Sequence, residues 1–308
     1  MTRASISSIE PRVSVLLPTR NRADDVVRAV TSVLESKGVE LDLVVIDQSD
    51  STETAEALSE WTSTAQVRIV RSHHRGVGAA LNDGLSQAAF PIVIRTDDDC
   101  EVDPGWVAGM AAVFDDRPEV AMVFCNVVAG PHDRQAGYVP EYLRHRTRLL
   151  RSPIDTIRGW GIGAGVGFRR EAIQAIGGFD DKMGPGSPFQ SGDDWDVELR
   201  ALLNGWHVVH TADLQVIHHG FRTFTEGRDH ARRDWFGIGA CFGKLARTRH
   251  PSVWLLAAWE LGTHAVLPPV VDIAHLRRPR GLMRIVAFCE GYTRGLTAPI
   301  DKDTYCFR

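Results

Sequence analysis

Three aspartates stand in a row, Asp97-Asp98-Asp99, directly after the apolar run Pro91–Arg95 and Thr96. One aspartate at a strand end is ordinary turn chemistry, because its side chain bonds nearby backbone groups. Three adjacent carboxylates repel one another unless a cation sits among them. Mg²⁺ and Mn²⁺ take such oxygen ligands, keep waters and bridge carboxylate to phosphate. A second acidic cluster, Gly192-Asp193-Asp194-Trp195-Asp196-Val197-Glu198, opens a helical segment. Acids in a first helical turn complement the helix dipole, so capping alone accounts for one of them. A carboxylate held near a metal-bound phosphate can also take a proton from an incoming hydroxyl. The chemistry to look for is metal-assisted group transfer.

The elements that must position these acids follow from hydrophobic period. Val13–Leu17 is a buried strand ending at Pro18, and Ala23–Lys37 is a helix with Val26, Val27, Val30, Val33 and Leu34 on one face. Leu41–Ile46 and Val67–Val70 read as strands, with a helix over about Thr54–Trp61 between them. Gly76–Ala89 enters a further helix before the strand Pro91–Arg95. Strands alternating with helices predict an α/β fold with a mostly parallel sheet flanked by helices. Ligands in such sheets sit off the carboxyl ends of the strands. Three polar clusters, Pro18–Asn21, Asp47–Ser51 and Asp97–Asp99, should therefore meet at one edge.

The second half is less regular. Val120–Val128 and Val208–His218 read as strands, Phe168–Gly177 as a short helix, and Asp194–Asn204 as a helix closed by Gly205. A solvated helix is expected around Tyr142–Leu150, and Lys182–Ser191, rich in Gly, Pro and Ser, is expected to be a loop. From about Glu226 the chain reads as helices joined by basic connectors, which predicts a domain over 1–225 and a helical C-terminal extension over 226–308.

Composition narrows the class. At 308 residues, with 44% hydrophobic and 24% charged residues, the chain is an ordinary globular one. A net charge of −4 provides no basic field for nucleic acid. The five cysteines show no CxxC spacing, which excludes zinc-knuckle and redox-motif readings and suits reduced thiols in a cytoplasmic protein. Met1–Arg12 is polar and lacks the apolar core of a signal peptide. Val253–Val271 is the nearest approach to a spanning helix, but Glu260, His264 and Pro268-Pro269 interrupt it.

Six motifs in order resemble family 2 glycosyltransferases of the GT-A fold, over about Val13–Gly220. They are Val15–Arg22, Val44–Ser49, Arg75–Gly84, Asp97–Asp99, Gly163–Arg170 with Gly177–Asp180, and Gly192–Arg200. The resemblance implies an inverting enzyme that moves a sugar from a nucleotide-sugar donor, by default a UDP-sugar with dTDP and GDP open, to an acceptor hydroxyl. It implies that Asp47 holds the base with Pro18, Thr19 or Arg20 nearby, that Arg75 lies beside the donor, and that Asp97 and Asp98 contact it. Asp99 and His218, or alternatively His219, would hold a divalent cation, Mn²⁺ or Mg²⁺. In the family's acidic pair the second member is the base, which lands on Asp194, with Asp193 in the first position toward the acceptor.

Three departures stand out. Leu81 replaces an arginine that relatives often carry, Gln48-Ser49 replaces an Asp-Gly pair after Asp47, and Asp193 is shorter than the usual Glu. Trp160 and Trp195 are read either as platforms for an acceptor sugar or as core. The acceptor class stays open among saccharides, lipid-linked acceptors and small molecules.

A nucleotidyltransferase would carry a glycine-rich phosphate loop after the first strand, and Pro18-Thr19-Arg20-Asn21-Arg22 has no glycine. An inactive GT-A scaffold is the other reading, against which stand the retained Asp47, Asp97, Asp99 and Asp194. The C-terminal helices are expected to pack on the first domain, with a homo-oligomer contact or the inner face of the membrane as further roles.

Overall fold

Residues Val13 to Leu17 are all shielded from solvent, so β1 (Arg12–Thr19) is covered on both faces. Strands buried in this way read as unbroken apolar runs and lie inside a sheet. The computed structural model describes residues 10–308, and the expectation for Met1–Arg12 falls largely on residues 1–9, outside them. The chain continues through α1 (Ala23–Leu34), β2 (Glu40–Asp47), α2 (Glu53–Ala57), α3 (Ser59–Ser63), β3 (Val67–Arg71), α4 (Val77–Gln87) and β4 (Ile92–Thr96). The single helix expected over Thr54–Trp61 is two short helices.

The second half supplies β5 (Cys100–Val102), α5 (Trp106–Ala112), β6 (Val120–Ala129), β7 (Gly137–Tyr138), β8 (Arg148–Leu150), β9 (Gly165–Arg169), α6 (Arg170–Ala175), α7 (Asp193–Leu203), β10 (His207–His218) and β11 (Arg222–Thr223). The main sheet runs β3-β2-β1-β4-β9-β6-β10-β5, with β8 on β10. Pairing is parallel through β3-β2-β1-β4 and between β6 and β10. The parallel pattern does not extend through the whole sheet, because β9 runs antiparallel to both β4 and β6.

Alternation across the strands divides the core. Val13, Val15 and Leu17 face α1 and α5, where Val26, Val30, Trp106 and Met110 pack. Leu16, Val44 and Ile46 face α4, α6 and α7 through Leu81, Leu85, Ile173 and Val197. The helix expected around Tyr142–Leu150 is absent. Tyr142 bridges to Val127 and Arg148–Leu150 adds a strand to β10. The exposed edge of β10 there offers backbone partners that a solvated helix would leave unused.

The C-terminal region is helical, with α8 (Phe224–Leu245), α9 (Pro251–Glu260), α10 (Leu267–Ala274) and α11 (Leu282–Thr297). The first helix starts two residues before the expected boundary at 226, where Thr223 and Glu226 form a reciprocal cap: Glu226 N–H donates to the Thr223 hydroxyl and Thr223 N–H to the Glu226 carboxylate. These helices share a third core with Trp160, Met183 and Leu199, so they pack on the sheet domain. Among the described residues no helix is long and apolar enough to cross a membrane. Cys100, Cys125 and Cys241 are buried, Cys306 is half-buried and Cys289 is exposed, all as free thiols.

Candidate active site

The carboxyl ends of β1 and β4 come together as parallel pairing requires, and Thr19 Oγ1 donates to Asp98 Oδ2 at 2.8 Å. Arg22, just beyond β1, places one guanidinium nitrogen 2.9 Å from both Asp98 and Asp99. Burial pushes the Asp98 carboxyl up to about 6, against the pull of Arg22 and the Thr19 hydrogen bond. Burial acts on Asp99 too, but its bond to His218 and the charges of His218 and Arg22 hold it below the usual range.

His218 is delivered by strand register. β5 runs antiparallel to β10, with Cys100 opposite His218, and this sets His218 Nε2 3.3 Å from Asp99 Oδ1. Its Nδ1 lies 3.3 Å from the Pro140 carbonyl, to which it can donate, so Nε2 faces the acid. Burial lowers the imidazole pKa, but the Asp99 hydrogen bond and the charges of Asp99 and Asp97 bring it above its ordinary value. His219 turns the other way, toward Glu101 at 2.9 Å, so of the two histidines His218 is the one at the aspartates.

A cation fits this corner. Asp99, Cys100 and His218 converge, and a Cβ on Gly220 would lie 2.5 Å from His218 Nε2 and 2.8 Å from Asp99 Oδ2, so glycine keeps the space open. Burial holds the Cys100 thiol well above its usual range, which leaves a carboxylate and an imidazole as the donors for a hard cation.

The second acidic cluster arrives from the far side. Gly192 takes a left-handed φ of 82° and turns the loop into α7, whose first residues are Asp193 and Asp194. Arg95, a buried guanidinium at the end of β4, lies 3.0 Å from Asp97, 3.4 Å from Asp193 and 3.2 Å from Asp194. Acids 98 and 99 residues along the chain from Arg95 thus meet on one cation. One guanidinium cannot neutralise three carboxylates. Burial and repulsion from Asp193 push Asp194 up to about 8, and burial raises Asp193 as well. Gly163 N–H donates to Asp194 Oδ2 at 2.9 Å, and a Cβ there would collide with Arg95 and Asp194.

Beside the first cluster lies a cavity of about 600 Å³ lined by Pro18, Thr19, Arg20, Gln48, Arg95, Asp97–Asp99, Gly186, His218 and, from the C-terminal side, Arg222, His230 and Arg233; Asp193 and Asp194 do not line it and stand behind Arg95. Burial and the charges of Arg222 and Arg233 lower the His230 pKa, the mark of a positive field on that wall.

Other expected residues sit differently. Asp47 is fully buried, with Ser49 N–H on one oxygen at 2.8 Å and Arg71 on the other at 2.6 Å, and it does not line the cavity. Gln48 lines it instead, donating to the carbonyls of His74 and Gly76. Arg75 and Arg20 both reach Asp50, at 2.8 and 3.3 Å, at the exposed rim. Leu81 is buried in the core. Trp160 and Trp195 stack on each other at 4.1 Å, and Trp160 Nε1 donates to Glu260. Both pack into the third core, so the platform reading gives way to the core one.

Sequence reasoning passed over Arg95 and Arg22. Arg95 had a signal: a charge ending the apolar run Ile92-Val93-Ile94 must find a partner if buried. Arg222 and Arg233 carried none, since only the pairing of β11 with β7 and the return of α8 bring them to the cavity.

Residues 14–177 match the model of glycosyl transferase family 2, more than half of the chain. This chain belongs to glycosyl transferase family 2. The family 2 chain is 30% identical over 227 residues to the O-antigen biosynthesis protein RfbC of Myxococcus xanthus, covering 68% of this chain and 17% of that protein. It is 27% identical over 294 residues to the pre-mycofactocin glycosyltransferase of Mycobacterium tuberculosis, covering 88% of this chain and 58% of that one. The chain thus spans less than two thirds of the length of either relative.

Two solved structures share the fold. The mannosyltransferase PcManGT of Pyrobaculum calidifontis, in complex with GDP-Man and Mn²⁺, aligns with a TM-score of 0.63 at 20% identity, covering 94% of this chain and 88% of that one. TarS 1–349 of S. aureus, in complex with UDP-GlcNAc, aligns with a TM-score of 0.62 at 13% identity, covering 92% and 81%. Like the family 2 chain, these are GT-A folds: a curled α/β sheet flanked by helices, here with a helical C-terminal region.

Proposed function

We propose that this family 2 member transfers a glycosyl group from a nucleotide-sugar donor to an acceptor hydroxyl by a single inverting displacement, with Asp194 as general base. The observation that carries the reading is the convergence of Asp97, Asp193 and Asp194 on Arg95 beside the cavity that Asp98, Asp99 and His218 line. Nucleotide sugars in two structures of the same fold support the donor class. A UDP-sugar is the favoured donor, by resemblance, with GDP and dTDP as the alternatives.

The chemistry asks for two things at once: a charge to receive the departing nucleoside diphosphate and a base to strip the acceptor. A divalent cation held by Asp99 and His218 would supply positive charge for the diphosphate leaving group. Arg222 on β11 and Arg233 on α8 add to that field from the opposite wall. Asp194 accepts the acceptor's proton as the acceptor oxygen bonds to C1 and the bond from C1 to the diphosphate oxygen breaks. The bonds to Gly163 N–H and Arg95 fix the carboxylate's direction. In this reading Asp193 stands with Asp194 behind Arg95, toward the acceptor, and Pro18, Thr19, Arg20 and Gln48 line the nucleotide side. Asp47 acts from behind them, by holding Ser49 and Arg71. In this reading the catalytic domain ends at about 225, and the helices of 226–308 pack on it and add His230 and Arg233 to the cavity wall.

A donor-hydrolysis screen over UDP-, GDP- and dTDP-sugars with Mn²⁺ tests the activity, and Asp194→Asn tests the base. Transfer by Asp194→Asn should fall at least ~10²-fold while donor binding holds, the scale of general-base catalysis. Near wild-type turnover in that variant would remove Asp194 from the role. No hydrolysis and no nucleotide-dependent thermal shift would favour an inactive scaffold.

A further inference from the structure

The outer surface of the C-terminal helices does not look like that of a helix facing water alone. α9 runs on through the wider turn Leu261–Val266 into α10, forming one helical stretch. Its acids, Glu260 and Asp272, are buried against Trp160 and Arg280. Its outward side is apolar: Trp254 is 59% exposed, Leu255 61%, Leu267 52%, Val270 54%, Ile273 58% and Leu276 97%. Contiguous apolar surface of this kind on a folded chain marks an interaction site.

The rim decides which partner fits. From Ala246 to Val286 the sequence holds six arginines against those two acids. Arg249, Arg277 and Arg278 are exposed and form no ion pair among the described residues. A second copy of this chain would bring like-charged rims together across a two-fold contact. An anionic lipid surface offers an apolar layer beneath a negative headgroup plane, with tryptophans suited to the boundary between them. Since no helix among the described residues is long and apolar enough to cross a membrane, the face would lie on the bilayer and not span it.

We propose that the apolar face of α9 and α10, with its arginine rim, docks on the surface of an anionic bilayer. This inference is independent of the glycosyl-transfer reading, and its test reads no activity. The full chain is mixed with phosphatidylcholine vesicles, with or without phosphatidylglycerol, and floated on a density gradient. The wild type should float with the phosphatidylglycerol vesicles and stay behind with pure phosphatidylcholine, and added salt should weaken the association. Arg277→Glu/Arg278→Glu should weaken partitioning by about fivefold or more per arginine. Leu255→Glu/Ile273→Glu should abolish it. Both variants alter exposed side chains, so melting temperature should match wild type. Failure of the wild type to float, or flotation unchanged in Leu255→Glu/Ile273→Glu, would overturn the proposal. A wild-type dimer in solution that this variant converts to monomer would also overturn it, assigning the face to a second copy.

Discussion

At the scale of single residues, Asp194 is both a candidate base and a strained charge. In the free protein its carboxyl, pushed up to about 8, ionises only as pH rises through that region. The reaction should follow: kcat/KM for transfer climbs about tenfold per pH unit below about 8 and levels above it. A profile flat across about pH 6 to 9 would contradict the assignment. Stability moves the opposite way. A carboxyl whose folded pKa exceeds its unfolded value contributes stability below the unfolded pKa and loses it as pH rises through the folded one. Asp194→Asn removes this penalty, so its melting temperature should gain on wild type between about pH 4 and about pH 8. Asp99 and His218 have a separate test. Asp99→Ala or His218→Ala should abolish the Mn²⁺ dependence of nucleotide-induced thermal shift, and an unchanged metal response would exclude the pair as ligands.

At the scale of elements, two placements depend on backbone geometry. Antiparallel β5 and β10 bring His218 to Asp99 by register alone, and a slip of one residue would turn the histidine to the other face. The second placement is the crossing of α8 and α11. Gly239 and Gly243 on α8 face Gly291 and Gly295 on α11, and a Cβ on any of the four would strike the opposing backbone. Small residues four apart let two helices pack backbone to backbone. Gly291→Val should cost about 3 kcal/mol or more, measured by thermal or urea unfolding, because backbone cannot yield as a side-chain tip can. A variant as stable as wild type would mean that the helices can separate freely.

At the scale of the whole molecule, a buried charge network ties the C-terminal helices to the helix that carries the candidate base. Lys244, on α8 and fully buried, pairs with Asp180 and, at 2.6 Å, with Asp196 on α7. Arg200 reaches Asp196 at 2.9 Å and the carbonyls of Ile176 and Gly178, while Phe307 N–H donates to Asp180. Removing one partner from such a network leaves an uncompensated buried charge. Lys244→Met should therefore cost about 3–5 kcal/mol. It should also lower the melting temperature in a single transition, since α7 and α8 share this network and a common core. A separate early transition confined to the C-terminal helices would show that they fold apart from the sheet domain.

Much of this protein is written in local pattern. Apolar runs and polar strand ends in the order of Val13–Leu17, Leu41–Ile46 and Pro91–Asp99 determined the α/β class, because strands and helices answer to short-range period. The acids at Asp97–Asp99 and Asp193-Asp194 were legible for the same reason: adjacent like charges need an explanation wherever they fold. Tertiary structure alone decided what those charges meet. Arg95 as their shared counter-ion, His218 over His219, the burial of Asp47 and the stacking of Trp160 on Trp195 all arise between residues far apart in sequence. Such contacts depend on how β9 enters the sheet and how α8 returns across it, and no local period encodes either.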